Sequence, residues 1–195
     1  VQMRGTTEAT KALMKHLDLE KVEISSLIEH EPIVLEKYTP SISHELVLMT
    51  LQKGEETLHI RHPVTKLNVA DAEEIANIMK QADPEWWSET TAQRIAESIG
   101  EVLWLGIKID KRLVSIGSTR LRDWGSNINV IATHEAYRNR GYATSIVSAL
   151  VREILQKTNL ALIHVLRDNL PALKVYEKVG FKPYRNYFLA RATIK

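Results

Sequence analysis

Tyr137–Thr144 reads YRNRGYAT, two arginines and a glycine set directly ahead of a stretch with helical spacing. The start of a helix leaves backbone N–H groups without partners and carries partial positive charge, so it attracts anions. Gly141 permits a backbone turn that brings those groups close to a ligand. Arg138 and Arg140 add full charges at the same mouth. Strand, R-x-x-G-x-A, helix therefore describes a pyrophosphate cradle, although taken alone it equally fits a strand–helix turn with two solvated arginines. No G-K-[ST] follows the glycine and no G-x-G-x-x-G is present, so the standard nucleotide loops do not fit. Further along, Ala172, Val175, Tyr176 and Val179 fall at i, i+3, i+4 and i+7. Tyr176 is thus either plain core or a phenol placed for proton transfer. His59 and His62 have H-x-x-H spacing, but in a strand that spacing sends the two rings to opposite faces, and no metal site is expected. His164 lies in an apolar run and is expected to be a hydrogen-bonded core histidine. The chain has no cysteine, which excludes disulfides and thiolate zinc sites.

These residues need elements to hold them. Residues 1 to 56 show a short helix, Glu8–His16, then apolar segments at Val22–Leu27, Pro32–Tyr38 and Glu45–Leu51, before the polar break Lys53–Glu56. Thr57–Leu67 suggests a strand interrupted by Pro63. Asp71 and Glu74 have the spacing of a capping box, and Ile75, Ile78, Met79 and Ala82 share one helical face. Ala92, Ile95, Ala96 and Ile99 define a second helix. Val102–Ile109 and Leu113–Leu121 pattern as a hairpin around Asp110–Lys111, a turn without the usual glycine. Ile128–Thr133 is a strand and Tyr142–Gln156 a helix with a wide apolar stripe. Leu160–Leu166 is short and almost wholly apolar, as expected of a strand buried on both faces. A last helix runs from an Asn169 cap, with Pro171 in its first turn, to a Gly180 stop. Phe181–Ile194 closes the chain as one or two strands. The order is that of an α/β domain over residues 57–195, preceded by an N-terminal α/β segment, 1–56, of unassigned role.

Asp168–Phe181, DNLPALKVYEKVGF, supplies a second motif one strand beyond the arginine loop. Together the two resemble the signatures of the GNAT superfamily of acyl-CoA-dependent N-acetyltransferases, over roughly residues 57 to 195. Arg138, Gly141 and Ala143 fill Q/R-x-x-G-x-G/A. Asn169, Ala172, Tyr176, Gly180 and Phe181 fill N-x-x-A-x-x-x-Y-x-x-x-G-F. The resemblance implies a mixed, mostly antiparallel central sheet flanked by helices, with a splayed strand pair that holds the cofactor, acetyl-CoA or CoA. It implies that backbone groups of Ile131, Ala132 and Thr133 take the pantetheine arm much as an added strand would be taken. The pyrophosphate would then rest on amides of Asn139, Arg140, Gly141, Tyr142, Ala143 and Thr144, with the Arg138 and Arg140 side chains nearby. Asn169 would contact the cofactor, and Tyr176 would protonate the departing thiolate. His134 stands where the family often has a proline after the splayed strand.

The attacking group would be a primary amine, whose pKa near 10.4 requires a proton to leave first. Glu135 and His134 are near in sequence, but a water chain serves equally well, and no general base is assigned. The acceptor, a small amine, amino acid or protein N-terminus, is left open. The ADPEWWSET segment, with Trp86 and Trp87, is either core packing or an apolar wall for that acceptor. A formal net charge of +2 gives no reason to invoke nucleic acid or an acidic membrane. No apolar run approaches the roughly 18 residues of a membrane span, no signal peptide is recognisable, and a cytoplasmic protein is expected. Three functional classes follow: an acetyl-CoA-dependent N-acetyltransferase, an acyl-CoA-binding sensor without turnover, and a nucleotide- or RNA-associated protein using the arginine patch. The phenol at Tyr176 disfavours the second and the modest charge the third.

Overall fold

The computed structural model describes every residue from Val1 to Lys195. In chain order the elements are β1 (Gln2–Met3), α1 (Thr7–His16), β2 (Lys21–Leu27), α2 (Glu31–Lys37), β3 (Tyr38–Gln52), β4 (Thr65–Lys66), α3 (Ala72–Ala82), α4 (Ala92–Ser98), β5 (Leu103–Ile109), β6 (Arg112–Thr119), β7 (Ser126–Thr133), α5 (Tyr142–Lys157), β8 (Leu160–Leu166), α6 (Leu170–Val179) and β9 (Lys182–Ile194). They form a mixed α/β fold whose strand pairing is mostly antiparallel. Two compact units divide the chain: Val1–Met49 with His164–Leu170 and Pro183–Lys195, and Thr50–Ile163 with Pro171–Lys182. No helix is long and apolar enough to cross a membrane.

In the first unit the strands run β1-β2-β9-β3. β9 pairs antiparallel with β2 from Lys21↔Thr193 to Leu27↔Tyr187, so the C-terminal strand completes a layer begun by the N-terminal one. Ile24, Val34, Tyr38 and Phe188 form the centre of its core. The Tyr38 hydroxyl donates to the Leu17 carbonyl, which lets a polar tip enter an apolar cluster at little cost.

The second unit carries β8-β7-β6-β5-β4. β4 through β7 pair antiparallel, and β7 pairs parallel with β8. The β5–β6 hairpin turns on Asp110 and Lys111, both at positive φ (48° and 67°), so two non-glycine residues occupy the left-handed region that such a turn demands. α5 buries Ile146, Val147, Leu150, Val151 and Ile154 completely, each contributing about 1.5–3 kcal/mol of apolar burial. Gly117 on β6 makes that approach possible. A Cβ there would collide with Ile146 Cγ2.

Three expectations about local structure are corrected. The strand expected over Thr57–Leu67 is confined to Thr65–Lys66. Upstream of it the backbone is held by serine side chains of α5: Ser148 Oγ accepts from the His59 amide, and Ser145 Oγ accepts from the Arg61 amide. Side chains on the helix thus take the place of a ladder. The capping box is made one turn earlier than Asp71–Glu74, by Asn68 and Asp71. Glu74 Oε2 instead accepts from the Leu113 amide, 2.7 Å away, a partner distant in sequence. β8 alternates buried and half-buried positions rather than being buried on both faces.

Candidate functional site

β7 carries the first part of the site. Its register with β6 runs Ser115↔Thr133 to Ser118↔Val130 and then slips, with Thr119 opposite Ile128. Asn129 is the extra residue of this β-bulge, a feature that re-aims a strand and that no local sequence signal marked. The His134 amide donates to the Val114 carbonyl. In an antiparallel ladder this makes His134, Ala132 and Val130 the residues bonded to β6, and turns the amide and carbonyl of Ile131 and Thr133 to the opposite edge. Of the three residues expected to offer backbone groups, Ile131 and Thr133 turn theirs away from β6, the Thr133 carbonyl accepting from Arg138 Nε, and Ala132 is committed to β6. The rungs to β8 join Ser126–Ile128 to Ala161–Ile163. Asn129–Thr133 lie beyond them.

The loop after β7 is organised by its own polar groups. A short 3₁₀ turn, Glu135–Tyr137, is capped by His134 Nδ1, which accepts from the Ala136 amide at 3.3 Å. Arg138 folds back so that its Nε donates to the Thr133 carbonyl at 3.3 Å, while its side chain stays exposed. Asn139 and Gly141 both adopt positive φ, 61° and 82°. Asparagine tolerates that region better than most residues and glycine adopts it freely. The Ser145 amide makes the first bond of α5, to the Gly141 carbonyl. The amides of Tyr142, Ala143 and Thr144 have no partner within the protein. Three orphan donors at the positive end of a sixteen-residue helix, beside two arginines, make a geometry suited to an anion.

Aromatic side chains brace this loop. The Arg140 guanidinium lies 5.5 Å from the centre of the Tyr137 ring. Tyr142 is buried, with ring centres 6.4 Å from Tyr137 and 4.4 Å from His62. His62 Nε2 donates to the Arg140 carbonyl at 2.9 Å. His62 lies 78 residues from its acceptor, so no motif spacing could have joined them. Ser145 and Ser148 had a weak signal: two hydroxyls three residues apart among the apolar residues of the first half of α5.

Tyr176 lies late in α6, and its carbonyl accepts from the Gly180 and Phe181 amides, which ends the helix. The ring packs against Phe181 with centres 6.2 Å apart, and the residue is only 6% exposed. Its hydroxyl makes no hydrogen bond. No fully buried side-chain nitrogen or oxygen in the protein lacks a partner, so the hydroxyl retains a small accessible area within an otherwise buried residue. Burial raises its pKa above the ordinary tyrosine value, so it is protonated at neutral pH. The phenol is thus packed in the core with its hydroxyl near the surface.

The remaining sequence candidates are placed as follows. Asn169 directly precedes α6, and its amide donates to the Leu166 carbonyl. Half-buried His164 sits 5.5 Å from the Tyr187 ring, whose face carries the Arg4 guanidinium at 4.1 Å. Burial first, and the Arg4 charge second, hold its pKa down at about 4, so it is neutral at pH 7. Trp87 packs on the core formed by α3, α4 and the β-sheet, and the Trp86 amide donates to Asp83 Oδ1. Glu135 is exposed.

Residues 104–189 match the family described as FR47-like protein. Solved structures agree in fold. A GNAT-family protein from Novosphingobium aromaticivorans shares 17% identity at a TM-score of 0.71, with 95% of this chain and 80% of that one covered. A GCN5-related N-acetyltransferase from Kribbella flavida shares 18% at 0.66, covering 97% and 77%. An acetyltransferase of the GNAT family from Colwellia psychrerythraea shares 11% at 0.64, covering 96% and 72%. No curated protein matches the chain in sequence.

Proposed function

We propose that the protein is an N-acetyltransferase that moves an acetyl group from acetyl-CoA to a primary amine by direct attack. The observation that carries this reading is the continuity of the outward backbone edge of β7, at Ile131 and Thr133, with the unpartnered amides at the start of α5. An elongated ligand with amides along one part and a diphosphate at its end matches that sequence of donors and acceptors. Arg138 and Arg140 complement the diphosphate charge, and the left-handed residues Asn139 and Gly141 shape the turn around it.

Acetyl-CoA supplies an acyl group activated as a thioester. The amine nitrogen forms the new bond to the carbonyl carbon as the carbon–sulfur bond breaks, and the sulfur leaves with the electron pair. Tyr176 gives its proton to that sulfur and regains one from water. Its raised pKa keeps the acid form loaded at neutral pH. The proton shed by the amine passes to solvent. The acceptor carries a primary amine, and the chemistry of the site sets no narrower class.

Calorimetry with CoA, acetyl-CoA, ATP and NAD, followed by thiol release over a panel of amines and peptides, tests the reading. CoA and acetyl-CoA bind in preference to ATP, and thiol appears with at least one amine. Equal or tighter ATP binding rejects the cofactor assignment. CoA binding with no thiol release from any acceptor marks a sensor.

A further inference from the structure

We propose that His62 is a positioning residue that fixes the shape of the Arg138–Gly141 loop from a segment outside it, and thereby sets cofactor affinity. The proposal rests on the cofactor reading of that loop. Its physical basis is local. A loop with two left-handed residues, Asn139 and Gly141, makes few backbone bonds of its own. Its central carbonyl, that of Arg140, is taken by His62 Nε2 at 2.9 Å. Holding this carbonyl turned toward His62 keeps the neighbouring amides of the loop free for a ligand. The same ring lies against Tyr142, the first residue of α5, at 4.4 Å, so one side chain braces both the loop and the helix start.

The segment that bears His62 has no ladder of its own, and it is anchored to the same helix. The His59 amide donates to Ser148 Oγ, and Ser145 Oγ accepts from the Arg61 amide while donating to the His59 carbonyl. His62 thus reaches the loop from a strut already pinned to α5. A Cβ on Gly141 would come within 3.7 Å of His62 Nε2, which puts the imidazole in ordinary contact range of the turn. It acts through the Arg140 carbonyl rather than on the reacting atoms. Both the neutral tautomer protonated at Nε2 and the imidazolium can donate this bond, so no pH switch is invoked.

Three variants separate bond from ring. His62→Phe keeps an aromatic face for Tyr142 and removes the donor. His62→Gln keeps a donor at similar reach and removes the ring. His62→Ala removes both. The free proteins are digested with trypsin, and cleavage after Arg138 and Arg140 is read against cleavage at arginines and lysines elsewhere. Loss of the bond is expected to raise the relative loop rate about three- to tenfold in the Phe and Ala variants, with Gln close to wild type. Calorimetry should show the CoA Kd raised by a similar factor in Phe and Ala, with kcat at saturating acetyl-CoA unchanged. A loop rate in His62→Phe equal to wild type, or one raised only in step with all other sites, overturns the proposal. An unchanged Kd in a variant whose loop has loosened overturns its link to affinity. If the wild-type protein binds no CoA, the cofactor reading fails on its own, and the cleavage ratio still decides whether His62 orders the loop.

Discussion

Two strand–helix units follow one another in this chain and use their helices in opposite ways. β7 leads into α5 through a loop with two left-handed residues, and the helix opens with unpartnered amides. β8 leads into α6 by a tight turn, and Pro171 in the first turn removes one of the donors that an anion would need. α5 offers its end; α6 offers its flank, through Tyr176. The glycines show the same contrast. Gly141, at φ 82°, opens α5 with ordinary contact distance around a hypothetical Cβ, whereas Gly180, at φ 112°, closes α6 with the Glu55 carbonyl 2.5 Å from where a Cβ would stand. The first position leaves space at the helix start, and the second is closed by the protein's own packing.

The comparison breaks most visibly at Gly141. Gly141→Val is expected to abolish measurable CoA binding while the far-ultraviolet circular dichroism spectrum persists, because a branched residue resists the left-handed conformation and obstructs the amides. Full affinity in a folded variant would show that the helix end is not the cradle. Next in size, Tyr176→Phe should lower kcat about ten- to a thousandfold with Kd for acetyl-CoA nearly unchanged. That is less than general acid help can reach, since a thiolate of pKa near 8.5 is already a fair leaving group. Because burial raises the Tyr176 pKa, the acid form persists above the ordinary tyrosine value. The wild-type kcat profile should accordingly show no loss assignable to this residue up to about pH 10. An unchanged kcat in the Phe variant would reduce α6 to a packing element.

Gly180→Ala sharpens the other side of the contrast. It should cost about 1–3 kcal/mol through the strained backbone and the displaced Glu55 carbonyl. Thermal melting would record this as a lower Tm, with the acetyl-CoA Kd kept in the fraction that remains folded. A Tm equal to wild type would mean that the α6 terminus yields more easily than its contacts suggest. The smallest effect is expected for Arg138→Ala, about three- to tenfold in CoA Kd, fading as salt is raised because an exposed charge is screened. An effect that grew with salt would contradict a charge-based role.

The candidate residues of both helices were legible in sequence because they lie in short, contiguous stretches: a glycine among arginines before a helical stripe, and a tyrosine within one. Helical and strand periodicities likewise marked α3, α5, β8 and the β5–β6 hairpin, since burial on one face imposes a spacing that composition displays. What the sequence left open depends on partners far apart along the chain. The Asp71–Glu74 spacing suggested a cap, but the Leu113 amide claimed Glu74. Thr57–Leu67 resembled a strand, but Ser145 and Ser148 claimed the backbone at His59 and Arg61. The spacing around Tyr176 fits core and acid alike, and only the fold shows its ring packed against Phe181. The direction of the backbone groups on β7, its bulge at Asn129 and the bond from His62 to Arg140 follow from register and from long-range contact. Local spacing determines which faces a segment can bury; only the assembled fold decides which distant donor meets which acceptor.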